Sequence, residues 1–209
     1  MRKYLVIAII LAAVGGVIWG VFEFLQYKDV TFALSDDVSK VDVYVEDENI
    51  EEKKPVATVS RSNTTIRLRA GSYEYVPSGE KVAKDSTQII IDKSMTIPVD
   101  PNYSETYLSS ITEAELSALS DALTAKYPEQ MEQFTANNIK LFGKGEWAGV
   151  LLTPVGMDPQ SPGGYYRVLA QKKSGTWSLV GKPEIVLTKY TTPTAPLDML
   201  TSVNSLSLR

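Results

Sequence analysis

The sequence predicts an N-terminal single transmembrane helix, then an all-β small sandwich, then an α+β domain in which a helix packs on an antiparallel meander. Three observations support this fold class: an apolar run near the N-terminus, a two-residue alternation over residues 30–99, and a helical period of about 3.6 after residue 110. The 209 residues are 44% hydrophobic and 22% charged, which is ordinary for folded protein. The predicted regions are an anchor at 1–28, a β-sandwich at 29–100, a linker at 101–110 and an α+β domain at 111–209.

The apolar run covers residues 5–25 and is interrupted by a charge only at Glu23. At ~1.5 Å of rise per residue it gives a helix of roughly 31 Å, which is enough to cross the hydrocarbon core of a bilayer. Arg2 and Lys3 precede the run, and the positive-inside rule places such residues in the cytoplasm. We therefore expect a single span in the cytoplasmic membrane, with the N-terminus inside and the C-terminal domains extracytoplasmic.

A cleaved signal peptide is the alternative interpretation of this segment. Ala13 and Gly15 are small residues of the kind that precede a cleavage site. The apolar stretch nevertheless continues well past them to an aromatic cluster that includes Trp19 and Phe22, which a signal peptide does not need. The sequence therefore favours retention of the segment, with the membrane as one partner of the chain.

Amino-acid usage excludes several classes of protein. The chain has no Cys and no His, which removes disulfides, thiol nucleophiles, imidazole or thiolate metal ligands and the usual general base near neutral pH. We expect no cofactor and no metal. Setting aside Arg2 and Lys3 from the 21 basic residues and Glu23 from the 25 acidic ones leaves a net charge of about −5, which disfavours nucleic acid. A cysteine-free extracytoplasmic protein of this size is commoner in bacteria, so a bacterial cell envelope is expected.

Alternation with a period of two runs through residues 30–99. Val41, Val43 and Val45 alternate with Asp and Tyr, and Ile89 and Ile91 show the same spacing. About seven short runs of this kind, separated by loops rich in Asp, Asn, Ser and Gly, are typical of a small β-sandwich. They include predicted strands at residues 31–34, 57–60, 72–76 and 95–99.

Within this region, Leu68, Gly71 and Tyr73 form a Leu-x-x-Gly-x-Tyr core. The segment resembles the PEGA family and, more broadly, transthyretin-like small β-sandwich domains, over about residues 30–100. Gly71 is expected to supply a positive-φ tight turn between paired strands, and Tyr73 to pack on the sandwich while its hydroxyl stays in water. The resemblance implies a noncatalytic surface module.

The C-terminal region changes to a helical period. Thr112 and Glu115 form a capping box that predicts a helix start, and the helix is expected to end near Tyr127. The remaining predicted elements are hairpins around 143–146 and 173–175, an extra strand at 184–187 and a short helix over 196–206. One side of this helix is expected to be apolar and to carry Leu197, Leu200, Val203 and Leu206. A helix across a curved meander is similar to cystatin-like and nuclear-transport-factor-like cones, which include enzymes and binding proteins alike.

Glycoside hydrolysis by two carboxylates is the main enzymatic route for a chain without His and Cys. The available glutamates are Glu113, Glu115, Glu146 and Glu184. None lies in a recognisable catalytic motif, so the prediction is that the protein is not an enzyme. The alternative is a small-ligand-binding or glycan-processing cone, which an open cavity with paired acidic residues would favour and a cavity filled by Trp147 and Trp177 would not.

The densest acidic cluster, residues 46–52, offers oxygen atoms of the type that bind calcium. It lacks the glycine and the regular ligand spacing of a calcium loop, and two lysines follow it directly. We therefore interpret the cluster as a solvated loop.

Four residues are predicted to bind a partner. Arg67 and Arg69 project from one face of a predicted strand and could hold a carboxylate or phosphate of an anionic envelope polymer. Tyr165 and Tyr166 follow a glycine-containing loop, and paired tyrosines are suited to stacking on sugar rings or on a partner. The predicted function is a membrane-anchored, noncatalytic binding or accessory module that contacts a protein or an envelope polymer.

Overall fold

The structure is a computed structural model that describes residues 26–46, 54–156 and 164–207. The chain divides into two compact units, Met1–Pro101 and Asn102–Arg209. Each unit has its own buried apolar core, so each is stabilised by contacts within itself.

The first unit consists of two small sheets. Its described strands are β1 (Tyr27–Leu34), β2 (Lys40–Val45), β3 (Ala57–Ser60), β4 (Thr65–Arg69), β5 (Gly71–Ser78), β6 (Thr87–Ile91) and β7 (Met95–Val99). One sheet has the order β4-β1-β7 and the other has the order β3-β2-β5-β6. Strand β1 runs antiparallel to β4 and parallel to β7.

The two sheets share one apolar core. Val41 and Val43 of β2 are fully buried in the same cluster as Val30 and Phe32 of β1. The rings of Phe32 and Tyr75 meet edge to face, with their centroids 5.7 Å apart, and so join β1 to β5. Burial of each such side chain contributes roughly 1.5–3 kcal/mol, which explains why the two-residue alternation predicts where these strands lie.

The segment that resembles the PEGA family does not contain the expected tight turn. Strands β4 and β5 belong to different sheets, and Gly71 is the first residue of β5, without a positive φ. A Cβ at Gly71 would meet only the ring of Tyr73, at 3.7 Å. The Tyr73 hydroxyl donates to the Arg69 carbonyl oxygen at 2.9 Å instead of staying in water, and burial raises the pKa of Tyr73.

The second unit is a four-stranded antiparallel meander with helices. Its described elements are α1 (Glu105–Lys126), α2 (Pro128–Gln133), β8 (Phe134–Phe142), β9 (Trp147–Pro154), β10 (Tyr166–Lys173), β11 (Thr176–Glu184) and α3 (Leu197–Asn204). The strand order is β11-β10-β9-β8. Ser174 and Gly175 both have positive φ, as the tight turn between β10 and β11 requires.

Both faces of the meander are covered. Val150 and Leu152 of β9 belong to a cluster that includes the buried leucines of α1, whereas Leu151 belongs to a cluster with α3. Strand β9 is therefore buried along almost its whole length. Gly149 permits this packing, because a Cβ there would be 2.8 Å from Leu206 Cδ1.

Helix α1 begins earlier than the capping box predicted. Its N-cap is Ser104, whose hydroxyl accepts a hydrogen bond from the backbone N–H of Tyr107 at 3.3 Å. Thr112 lies inside the helix, and its hydroxyl donates to the Leu108 carbonyl at 2.7 Å. Leu108 is buried in the core, so tertiary packing stabilises the two additional turns.

The predicted fold class has to be corrected. The described residues are mostly β-sheet, in three sheets with three helices, and none of these helices is long and apolar enough to cross a membrane. The longest of them, α1, carries charged residues such as Glu113 and Asp121 and packs as a core helix. The predicted span at 5–25 lies outside the described residues. The structure therefore does not support the anchored N-terminus, the membrane as a partner, or the placement in a cytoplasmic membrane with extracytoplasmic domains.

Candidate functional site

The structure places Arg67 and Arg69 on the exposed face of β4, at the edge of the three-stranded sheet. The guanidinium carbon of Arg67 lies 5.7 Å from the ring centroid of Tyr27, and Asp29 is its cross-strand neighbour. Arg69 Nε donates to the side-chain oxygen of Gln26 at 2.6 Å. Both predicted partner-binding arginines are thus already in contact with β1 or with the residue that precedes it.

The structure separates Tyr165 from Tyr166. The ring centroid of Tyr165 lies 4.9 Å from the guanidinium carbon of Arg167. The Tyr165 ring also packs against the buried cluster that contains Leu151 and the apolar residues of α3, which we call the α3-side cluster. The Tyr166 ring meets the Phe134 ring edge to face, with the centroids 5.3 Å apart. It packs against the cluster that contains the buried leucines of α1, which we call the α1-side cluster. Because the two rings pack against clusters on opposite faces of the sheet, these two tyrosines do not form one stacking surface.

Arg167 is a buried cation that ties two chain segments to the sheet. Its side chain is 8% exposed. Nη2 donates to the carbonyl oxygen of Leu206 at 3.0 Å, and Nη1 donates to the carbonyl oxygen of Ile185. These bonds fix the residues after β11 and after α3, which makes Arg167 a structural rather than an exposed binding group.

Glu115 has both carboxylate oxygens occupied. Lys172 Nζ donates to Oε1 at 2.6 Å, and Trp177 Nε1 donates to Oε2 at 2.7 Å. The hydrogen bond from Lys172 is the largest cause that lowers the pKa of Glu115, and the bond from Trp177 acts in the same direction. An ionised carboxylate that accepts two strong hydrogen bonds is poorly suited to act as a general acid.

Replacing Glu115 with glutamine should lower stability by an amount that depends on pH. Because folding lowers the pKa of Glu115, its ionised form stabilises the protein above the ordinary value of 4.5, and this stabilisation is lost as the pH falls through the folded-state value. We expect Glu115→Gln to cost on the order of 1 kcal/mol at neutral pH and almost nothing in acid. Urea unfolding at several pH values measures the difference.

The matched control is Glu113→Gln, which changes an exposed glutamate of the same helix. Its effect should stay within about 0.5 kcal/mol at every pH. A loss at Glu115→Gln that is the same at neutral and acidic pH would contradict the assigned role of the carboxylate.

The Tyr190 loop, residues 188–192, presents an aromatic ring to solvent. Tyr190 is 95% exposed. The loop around it is held by hydrogen bonds from the backbone N–H and the hydroxyl of Thr192 to the Thr188 carbonyl, at 2.8 and 2.6 Å. Lys189 Nζ donates to the Ala195 carbonyl at 2.6 Å. The ring is therefore carried by a braced turn and not by a freely moving segment.

Other apolar side chains on either side of this loop are also exposed. Ile185 and Val186 precede the loop and are 61% and 55% exposed, and Leu197, at the start of α3, is 68% exposed. The sequence predicted that Leu197 would lie on the buried side of the last helix, whereas Met199 takes that role. Residues 185–197 thus carry four exposed large hydrophobic side chains, those of Ile185, Val186, Tyr190 and Leu197.

The second unit also contains a groove that we call the aromatic groove. Its volume is about 410 Å³, and its lining residues are Tyr127, Gln130, Phe134, Leu152, Tyr166, Lys182 and Pro183. It lies on the α1 side of the sheet, at the end where β8 and β10 begin. The Tyr127 hydroxyl donates to the Gly181 carbonyl at 2.6 Å, and burial raises the pKa of Tyr127.

A second groove, of about 570 Å³, lies along β8, α1 and the residues after α3. Its one lining carboxylate is Glu105, whose Oε1 is 2.7 Å from Lys140 Nζ. The four glutamates considered for hydrolysis line neither groove. Trp177 is buried on the α1 side of the meander, and Trp147 packs against the α3-side cluster.

Besides the predicted span, two parts of the sequence analysis fall on residues that are not described. The acidic cluster at 46–52 is described only at Glu46, whose carboxylate accepts a hydrogen bond from Gln88 at 2.6 Å. Of the loop before Tyr165 and Tyr166, the structure describes residues 155–156 and Gly164, and residues 157–163 lie outside the described part. In the described part of the chain, no group of three or more acidic side chains is arranged to hold a metal ion.

Sequence analysis did not identify the Tyr190 loop or the aromatic groove. An isolated Tyr within a run of Thr and Lys was an available signal for the loop. The groove had no comparable signal, because it depends on an irregular pairing of β10 with β11.

No protein family matches the chain, and no curated protein matches it. Two solved structures are similar, both of DUF3823 family proteins. The protein from Parabacteroides merdae has 6% identity and a TM-score of 0.29, over 74% of this chain and 95% of that chain. The protein from Bacteroides ovatus has 12% identity and a TM-score of 0.26, over 75% and 96%. Likenesses at these TM-scores carry no argument about fold or function.

Proposed function

We propose that this protein is a noncatalytic binding module that recognises a protein partner through the Tyr190 loop. The observation that carries the proposal is the 95% exposure of Tyr190 on a loop whose backbone is fixed by hydrogen bonds. Tyrosine is enriched among the residues that dominate binding energy at protein interfaces. A braced loop loses little conformational freedom on binding, which favours affinity.

The surroundings of Tyr190 support a protein surface as the partner. Ile185 and Val186 precede the loop in the chain and Leu197 follows it, and all three are exposed. The exposed Thr188 and Lys189 supply polar groups next to Tyr190 in the chain. An apolar centre with a polar rim is the usual composition of a protein–protein interface. An anionic polymer would have to compete for Arg67 and Arg69, which already contact Tyr27 and Gln26.

The positions of the glutamates favour binding over catalysis. Glu115 is fully engaged by Lys172 and Trp177, and Glu184 lies opposite Arg167 in the sheet. Glycoside hydrolysis needs two carboxylates about 5–10 Å apart across a cleft that admits a sugar. Neither of the two grooves described above is lined by such a pair.

Replacing Tyr190 with alanine should weaken partner binding by about 2 kcal/mol or more, because the ring would be a central interface residue. A photo-crosslinking amino acid at position 190 first captures the partner in the organism that makes the protein. Calorimetry with the purified partner then compares the wild type with Tyr190→Ala. Stability should change by less than about 0.5 kcal/mol, since the ring is in solvent.

Leu116→Ala is the matched control, because Leu116 is a partly exposed apolar residue of α1. Its affinity for the purified partner should equal that of the wild type. The proposal fails if position 190 captures no reproducible protein, or if the captured protein binds Tyr190→Ala and the wild type equally well.

A further inference from the structure

The aromatic groove has the composition of a small-ligand site. Three aromatic rings, Leu152 and Pro183 form its apolar wall, and the rings of Phe134 and Tyr166 brace each other edge to face. A volume of about 410 Å³ lies at the lower end of the range for small-molecule pockets, roughly 300–1,000 Å³. An apolar wall of this kind favours a ligand with a flat apolar body.

The groove is formed by a defined distortion of β11. Leu169 pairs with Val180 and Arg167 pairs with Glu184, so two steps along β10 correspond to four along β11. The additional residues form a bulge that carries Lys182 and Pro183 into the lining. Bulges that redirect side chains are over-represented next to functional sites.

Two contacts hold the bulge in place. Gly181, at its start, has φ of +77°, and its carbonyl accepts the hydroxyl of Tyr127 at 2.6 Å. On the other side, a Cβ at Gly181 would lie 2.4 Å from Thr192 Cγ2, so Thr192 packs directly on the glycine. The wall that carries Lys182 is therefore supported by both neighbouring segments.

The charge of the groove selects the ligand. Lys182 is the one charged residue of its lining, and the amide of Gln130 adds a neutral donor. Among the described lining residues there is no carboxylate that would attract a cation. We propose that the aromatic groove binds a small carboxylic acid with a flat apolar body, whose carboxylate pairs with Lys182.

The test uses the full chain and three probes that share one ring system: indoleacetate, its neutral amide indoleacetamide, and the cation tryptamine. Titration calorimetry should show indoleacetate binding at least tenfold more tightly than tryptamine, with the amide between them. Lys182→Met should lower the affinity for indoleacetate by about tenfold and change the affinity for the amide by no more than about twofold. Phe134→Leu should lower the affinity for all three probes by a similar factor, because it removes an aromatic ring and no charge.

Lys173→Met is the matched control, since Lys173 is an exposed lysine of β10 that does not line the groove. It should leave all affinities unchanged. Nuclear Overhauser contacts from the indole protons should reach the rings of Phe134 and Tyr166.

Four results would overturn the proposal: no binding of any probe at millimolar concentration, equal affinity for the acid and the cation, no effect of Lys182→Met, or contacts to other residues. Tyr190→Ala should leave indoleacetate binding intact, so this proposal and the docking function fail separately.

Discussion

Replacing Gly181 with alanine is expected to destabilise the second unit by about 2–5 kcal/mol. An L-residue at a φ of +77° is strained, which costs roughly 1–2 kcal/mol. The new methyl group would also lie 2.4 Å from Thr192 Cγ2 and 3.0 Å from the Thr191 carbonyl oxygen. Thr192 cannot turn away easily, because it is fully buried and its hydroxyl is bonded to the Thr188 carbonyl. Urea unfolding followed by tryptophan emission measures the loss, since Trp147 and Trp177 both lie in this unit.

Gly175→Ala separates the two causes. Gly175 has almost the same φ, +82°, but a Cβ there would meet no atom within 4 Å. Its replacement should cost only the backbone strain, about 1–2 kcal/mol. Equal losses at Gly175 and Gly181 would show that Thr192 moves aside and that the bulge is not tightly packed. In that case the support that we assign to the aromatic groove would also be wrong.

Replacing Arg167 with methionine is expected to destabilise the second unit by about 2–4 kcal/mol. Methionine fills much of the same space but donates no hydrogen bond, so the carbonyl oxygens of Leu206 and Ile185 lose their partner. A carbonyl left unpaired in a buried site costs roughly 1–3 kcal/mol, and the Ile185 carbonyl is the less buried of the two. The stacking of the guanidinium on Tyr165 is lost as well.

Arg167→Lys should give an intermediate loss, because an ammonium keeps the charge but lacks the planar fork that reaches two carbonyls. Lys173→Met on the same strand should change stability by less than about 0.5 kcal/mol. Hydrogen exchange gives a local measurement. In Arg167→Met the amides of α3 should exchange faster than those of α1, and uniform acceleration would argue that Arg167 does not tie down the C-terminal segment in particular.

Alternation of apolar residues was sufficient to locate strands where one face is buried. The runs Ala57–Ser60 and Met95–Val99 were predicted with the bounds that the structure has. The start of β1 was predicted four residues too late, because Tyr27, Lys28 and Asp29 show no apolar alternation. They are strand residues because they pair with Arg69, Leu68 and Arg67. Pairing between distant segments is not visible in local composition.

Helix starts and functional residues were harder to predict for a similar reason. A capping box at Thr112 was a valid local signal, but burial of Leu108 extended α1 beyond it. The separation of Tyr165 from Tyr166 follows from the period of two, once Tyr166 is known to begin β10. The aromatic groove was out of reach, because its lining comes from α2 and the sheet, and the bulge at Gly181 has no local signature beyond one glycine.

Both edge strands of the meander, β8 and β11, pair irregularly with their neighbours. On β8, Asn137 pairs with Leu151 and Lys140 pairs with Gly149, so one extra residue bends this edge strand, and the amide of Asn138 donates to the Ser207 carbonyl at 2.5 Å.

The opposite edge strand, β11, is interrupted by its own bulge, while β9 and β10 pair regularly between them. Neither border therefore offers a straight row of backbone groups to a strand of another molecule. The same distortions that shape this unit should keep its copies from joining edge to edge into aggregates, and mutations that straighten β8 or β11 should lower solubility before they lower stability.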